Sequence, residues 1–95
     1  MTDLGTLPGA AHAEASAINA SGQVVGRSGN FENDDVACVW CHAVVWQGGR
    51  IVDLGTLPGG KLSDAVAINA QGQLVGWSTT KTGKKHAVLW TQKPG

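Results

Sequence analysis

The heptad Asp-Leu-Gly-Thr-Leu-Pro-Gly stands at residues 3–9 and again, unchanged, at residues 53–59. The copy runs well past those positions: residues 3–28 align without a gap on 53–78 at a spacing of 50, with 17 of 26 positions identical. A second block, His42-Ala43-Val44-Val45-Trp46, matches His86-Ala87-Val88-Leu89-Trp90 at a spacing of 44. The shorter spacing places an insertion in the first unit, at 29–41. A fixed internal period marks a repeat architecture, in which one supersecondary unit buries its apolar surface by stacking on the next. The chain reads as a single domain, 1–95, with repeat one at about 3–52 and repeat two at about 53–95.

Each unit reads as short strands. Residues 15–19 and 65–69 alternate alanine with other residues, which predicts a strand with a crowded alanine face. Asn19-Ala20-Ser21-Gly22 and Asn69-Ala70-Gln71-Gly72 carry the chemistry of a type I turn closed by a left-handed glycine bulge. Returning strands follow at 23–28 and 73–78, with Val24 and Leu74 on one side and Val25 and Val75 on the other. Third strands fall at 42–46 and 86–90, rich in β-branched and aromatic residues. Gln47-Gly48-Gly49-Arg50 then turns into a fourth strand at 51–56. Nothing has helical periodicity, so the expectation is an all-β chain of eight strands.

The phase of the repeat carries a further expectation. A fourth strand follows the third in repeat one, but in repeat two its counterpart is residues 1–6, at the other end of the chain. Asp3, Leu4 and Thr6 on one edge and His86, Val88 and Trp90 on the other are therefore complementary open edges. They can pair between neighbouring subunits, giving a homo-oligomeric ring closed head to tail. They can also pair within one chain, giving a pseudo-two-fold sandwich of two four-stranded sheets.

The sequence Asp-Leu-Gly-Thr-Leu-Pro-Gly, followed by Ala-Ile-Asn-Ala-x-Gly-Gln-x-Val-Gly-x-Ser and His-Ala-x-x-Trp, resembles the bacterial HAF-type extracellular repeat. The likeness spans nearly everything outside 29–41 and the last residues, with His-Ala-Val where the family usually has His-Ala-Phe. It implies one four-stranded β-propeller-like blade per repeat and brings no catalytic activity with it. Propellers close with about four to eight blades, so three two-blade chains would give six, and two or four chains also fit. If a signal was removed, the resemblance implies an extracellular protein. The start Met-Thr-Asp has no signal-like segment, which as written predicts the cytoplasm.

Composition narrows the functional classes. Seven basic residues balance seven acidic ones, so the footprint of a nucleic-acid binder is missing. No apolar run has membrane-spanning length. Cys38-Val39-Trp40-Cys41-His42 spells the attachment motif of c-type haem and could also serve as a metal set or a redox pair. His86 occupies the position of His42 with no cysteine nearby, so the repeat already accounts for the histidine. The favoured reading is a locally linked or reduced cysteine pair, with no cofactor and no metal. Both histidines are expected to bond backbone carbonyls.

Trp40 and Trp77 break the repeat by adding an aromatic, which makes them candidates for a binding surface or a subunit contact. Glu32, Asp34 and Asp35 give the insertion an acidic tip, while the second unit carries Lys81, Lys84 and Lys85 there. Alternating around a rim, such loops would help set register. The expected function is a non-enzymatic binding or interaction module that associates with itself and takes a small molecule, glycan or protein ligand. The alternatives are a metal, haem or redox protein and a structural repeat fragment without a ligand.

Overall fold

A computed structural model describes residues 3–32 and 37–91, and the side chains of all of these except 31, 32 and 37–39. The first sheet has the order β1 (His12–Ile18), β2 (Val24–Glu32), β3 (Ala37–Gln47), β4 (Arg50–Gly55). The second has the order β5 (Ser63–Ile68), β6 (Gln73–Thr79), β7 (Lys85–Thr91). All strand pairs are antiparallel, and no helix occurs among the described residues. The all-β expectation holds, with seven strands described where eight were expected.

The hairpins form for the reasons the turn residues suggest. Gly22 N–H donates to the Asn19 carbonyl and Gly72 N–H to that of Asn69, each at 3.1 Å. Both glycines sit at φ 83°, the left-handed region that glycine enters without steric cost. The Asn19 side chain accepts from the Ser21 and Gln23 amides, and Asn69 does the same for Gln71 and Gln73. The two turns also touch, with Asn19 Nδ2 donating to the Asn69 carbonyl at 3.0 Å. A repeated turn motif thus helps hold one unit to the other.

Three local expectations are corrected. Residues 3–6 form no strand: they lie on the first sheet, and among the described residues neither they nor any strand pairs with the outer edge of β7. The described parts of segment 29–41 are not loop: residues 29–32 and 37–41 lengthen β2 and β3. The alanine face is also split. A register shift between Ala15 and Ala17, repeated between Ala65 and Ala67, is a bulge that sends the two alanines to opposite faces. Gly26 and Gly76 lie opposite these bulges, where an added Cβ would collide with the carbonyl oxygens of Glu14 and Asp64.

The bulge decides the packing. Ala65 and Leu74 of the second sheet meet Val25, Ala43 and Val45 of the first, all with no solvent exposure, and Ala17, Leu54, Ile68 and Trp90 surround them. On the other face of the first sheet, Val44 and Trp46 pack under Leu7, with Ala10, Val24 and Ile51 at the margin. Each fully buried aliphatic side chain contributes about 1.5–3 kcal/mol. Ser63 staples the sheets together: its buried hydroxyl accepts from the Ala43 amide at 2.7 Å and donates to the Gly55 carbonyl at 2.6 Å.

Candidate functional site: the open face and edge of the second sheet

Repeat-equivalent residues in the two sheets have the same chemistry and opposite exposure. Val25 and Val45 are fully buried on the inner face of the first sheet. Their counterparts in the second sheet, Val75 and Leu89, are 45% and 59% exposed. Register puts Ala67, Val75 and Leu89 side by side across β5, β6 and β7, as it does Ala17, Val25 and Val45 across β1, β2 and β3. The second sheet therefore presents to solvent the apolar row that the first sheet buries. On the far side of the molecule Ile18 is 67% exposed, whereas its counterpart Ile68 packs in the core between the sheets.

The heptads form closely similar contacts in both units, the tryptophan bond differing by one residue. Gly5 N–H donates to the Asp3 side chain at 2.9 Å, and Gly55 N–H to that of Asp53 at 2.8 Å. Leu7 N–H donates to Ser28 Oγ, and Leu57 N–H to Ser78 Oγ. Trp46 Nε1 donates to the Gly5 carbonyl and Trp90 Nε1 to that of Leu54, each at 3.2 Å. Each tryptophan thus holds the heptad that precedes its own sheet. The difference lies on the other side of the segment. Residues 53–55 are also strand β4, paired with β3, while 3–5 have no strand partner among the described residues.

The expected edge residues divide accordingly. Asp3, Leu4 and Thr6 are exposed, His86 is exposed, and Val88 and Trp90 are half-buried. His42 does not bond a backbone carbonyl as expected: its Nδ1 lies 3.0 Å from both carboxylate oxygens of Asp53 on the adjacent strand. Asp3 is the repeat counterpart of Asp53, and His86 that of His42, so the two halves of a second such pair stand apart, Asp3 beside the first sheet and His86 on the second.

Trp40 and Trp77 are not brought together. Trp40 is half-buried beside the second core cluster and meets His42 edge-on, with ring centroids 5.6 Å apart. Trp77 lies half-buried on β6 with the Lys85 ammonium 4.1 Å from its ring centroid, a cation–π contact on the open face. Asp64 pairs with Trp77 across β5 and β6, and its Oδ1 is buried without a hydrogen-bond partner among the described residues. Burial pushes its carboxyl up from the ordinary value; Arg27 opposes this, Glu14 adds to it and Lys85 opposes it. Arg27 itself grips Glu14 at 2.7 Å.

Asp34 and Asp35 and the side chains of Glu32 and Cys38 lie outside the described residues. Cys41 is fully buried and disulfide-bonded, and Cys38 is the only other cysteine of the chain. A bulge between Asn30 and Phe31 leaves Val39 as the extra residue, which returns position 38 to the side of the sheet that holds position 41. In the disulfide state Cys41 offers neither a thiolate to a metal nor a sulfur for a haem thioether. Among the described residues, no three His, Cys, Asp or Glu side chains converge on a common point.

No protein-family model, curated protein or solved structure matches this chain.

Proposed function

We propose that the chain is a non-enzymatic interaction module, a propeller-type β repeat that assembles head to tail with further copies of itself. One observation carries the reading: Val75 and Leu89 are exposed at the positions where Val25 and Val45 are buried. A face already used once inside the chain is the best guide to what the same face accepts elsewhere. The occupant is a second copy, whose first sheet offers Ala15, Val24 and Ile18 at the positions of Ala65, Leu74 and Ile68.

The edges support the same geometry. Repeating the in-chain interface lays residues 3–5 of one copy along β7 of the next, as 53–55 lie along β3. Asp3 then meets His86 as Asp53 meets His42. The Asp3–Gly5 turn already has its hydrogen bond, and φ at Gly5 is 88° against 75° at Gly55, so little ordering remains to be done. The contact is heterologous, and a closed ring follows if the rotation per copy divides a full turn. The resemblance to HAF-type repeats favours blades over an isolated sandwich. The Cys41 disulfide favours an oxidising compartment, in line with the extracellular side of that resemblance.

Light scattering on the wild type and on Leu89→Asp tests the proposal, with the spectrum of each chain recorded to confirm its fold. The wild type should have a mass of several chains and the folded variant the mass of one. A wild type that stays monomeric at high concentration, or a variant that keeps the full assembly, overturns it.

A further inference from the structure

We infer that the second unit carries a binding cleft for a phosphate-bearing small molecule, at the end of its sheet between residues 59–62 and 79–83. The cleft has a volume of about 340 Å³, within the usual range for small ligands, and Lys61, Lys81, Thr80 and Thr82 supply its polar lining. Among the described residues no carboxylate lines it. Two exposed lysines and threonine hydroxyls around a recess suit a dianionic oxyanion, since lysine serves phosphate as a mobile point charge.

Comparison with the first unit ties the recess to four differences at one place, at positions 61, 79, 80 and 81. Asn30 plugs the equivalent position there: its Oδ1 accepts from the Ala11 amide at 2.9 Å and its Nδ2 donates to the Gly9 carbonyl at 3.3 Å. The second unit has the shorter Thr80 instead, and its hydroxyl lies 3.1 Å from Thr82 Oγ1. The Lys61 and Leu62 amides are satisfied by Thr79 Oγ1, so the connection holds its course without the plug. Where the first unit has Ala11 and Phe31, the second has Lys61 and Lys81. The stem of Lys81 lies against Gly59, where an added Cβ would come within 2.6 Å of the Lys81 Cβ. A cleft flanked by two lysines where the first unit has Ala11, Asn30 and Phe31 fits the pattern of a ligand site grafted on a repeat. This inference does not depend on the assembly.

The test is an amide-shift titration of the isotope-labelled full chain with inorganic phosphate, glucose 6-phosphate and neutral glucose. Saturable shifts confined to residues 59–62 and 79–83 are expected with both phosphates and not with glucose. Tighter binding of glucose 6-phosphate assigns the ligand as a phosphate ester; equal affinities assign recognition to the phosphate alone. Lys61→Ala with Lys81→Ala should weaken binding more than tenfold. Thr80→Asn, which restores the plug and leaves charge unchanged, should weaken it at least tenfold as well. Shifts that never saturate, equal binding of glucose, or a Thr80→Asn chain that binds like the wild type would overturn the inference.

Discussion

The row Ala17, Val25 and Val45 of the first sheet is covered and the matching row of the second sheet is open, although their strands have nearly the same sequence. Val44 and Trp46 lie under Leu7, and Val25 and Val45 lie under Leu74 and Ala65. In the second sheet Ala65 and Leu74 of the inner face are buried, but Ala67, Val75 and Leu89 on the other face are exposed. Equivalent apolar side chains thus have opposite environments because one copy has a neighbour on that side among the described residues and the other does not. Burial here is a property of the stack, and a sheet in the middle of a repeat array differs from a sheet at its end only in company.

The strongest way to break the comparison is to put the same charge at both members of an equivalent pair. Val45→Asp buries an unpaired carboxylate between the sheets and should cost more than about 3 kcal/mol, enough to unfold a chain this small. Leu89→Asp should leave the thermal or denaturant midpoint of the single chain nearly unchanged. If both variants unfold, the outer face of the second sheet is part of the core of one chain and the asymmetry is false.

Next in size is Ser63→Ala. Position 63 corresponds to Ala13 in the first unit, so the staple between the sheets has no equivalent there. Removing it strands the buried Ala43 amide and leaves the Gly55 carbonyl short of a donor, a loss of about 1–3 kcal/mol by denaturant titration. Loss of less than a few tenths would show that water or a shift of β5 replaces the hydroxyl.

Smaller still are the tryptophan anchors. Trp46→Phe and Trp90→Phe each remove one indole hydrogen bond to a heptad carbonyl, worth about 0.5–1.5 kcal/mol. Near-equal losses would sharpen the equivalence of the two heptads. A much smaller loss for Trp46→Phe would mean that residues 3–7 are held less firmly than 53–57.

The smallest effect is pH-dependent. Burial raises the Asp64 carboxyl above its ordinary 3.8, so the folded chain binds that proton more tightly than the unfolded one. Its contribution to stability therefore falls as pH rises through the window between 3.8 and the folded value, and stays lower at neutral pH. Asp64→Asn should gain stability over the wild type at neutral pH and lose that advantage in acid. An advantage of equal size in acid and at neutral pH would remove burial of the charge as its cause.

Much of the fold could be read in the chain because the repeat printed it twice. Strand order, the Asn19 and Asn69 turns and the opposed faces of Val24 and Val25 all follow from local chemistry that the structure keeps. The bulge at Ser16 and Val66 could not be read, since Ala-x-Ala fits a regular strand; only the glycine opposite, Gly26 or Gly76, signals it. The partner of His42 was missed because Asp53 is eleven residues away across a hairpin, although its place in the repeated heptad was a usable clue. The insertion read as a loop because its acidic residues mask an extension of the hairpin. The cleft at Thr80 needed the structure, because a plug is visible only when its hydrogen bonds are.

The central claim is that the open side of the second sheet receives another copy as the first sheet receives the second. Amide hydrogen exchange along β7, followed from dilute to concentrated protein, tests it most directly. The account predicts that the amides of Lys85–Thr91 facing away from β6 gain protection as concentration rises, together with those flanking Asp3–Gly5. If those amides exchange at the same unprotected rate at every concentration, the edge is simply open and the claim fails.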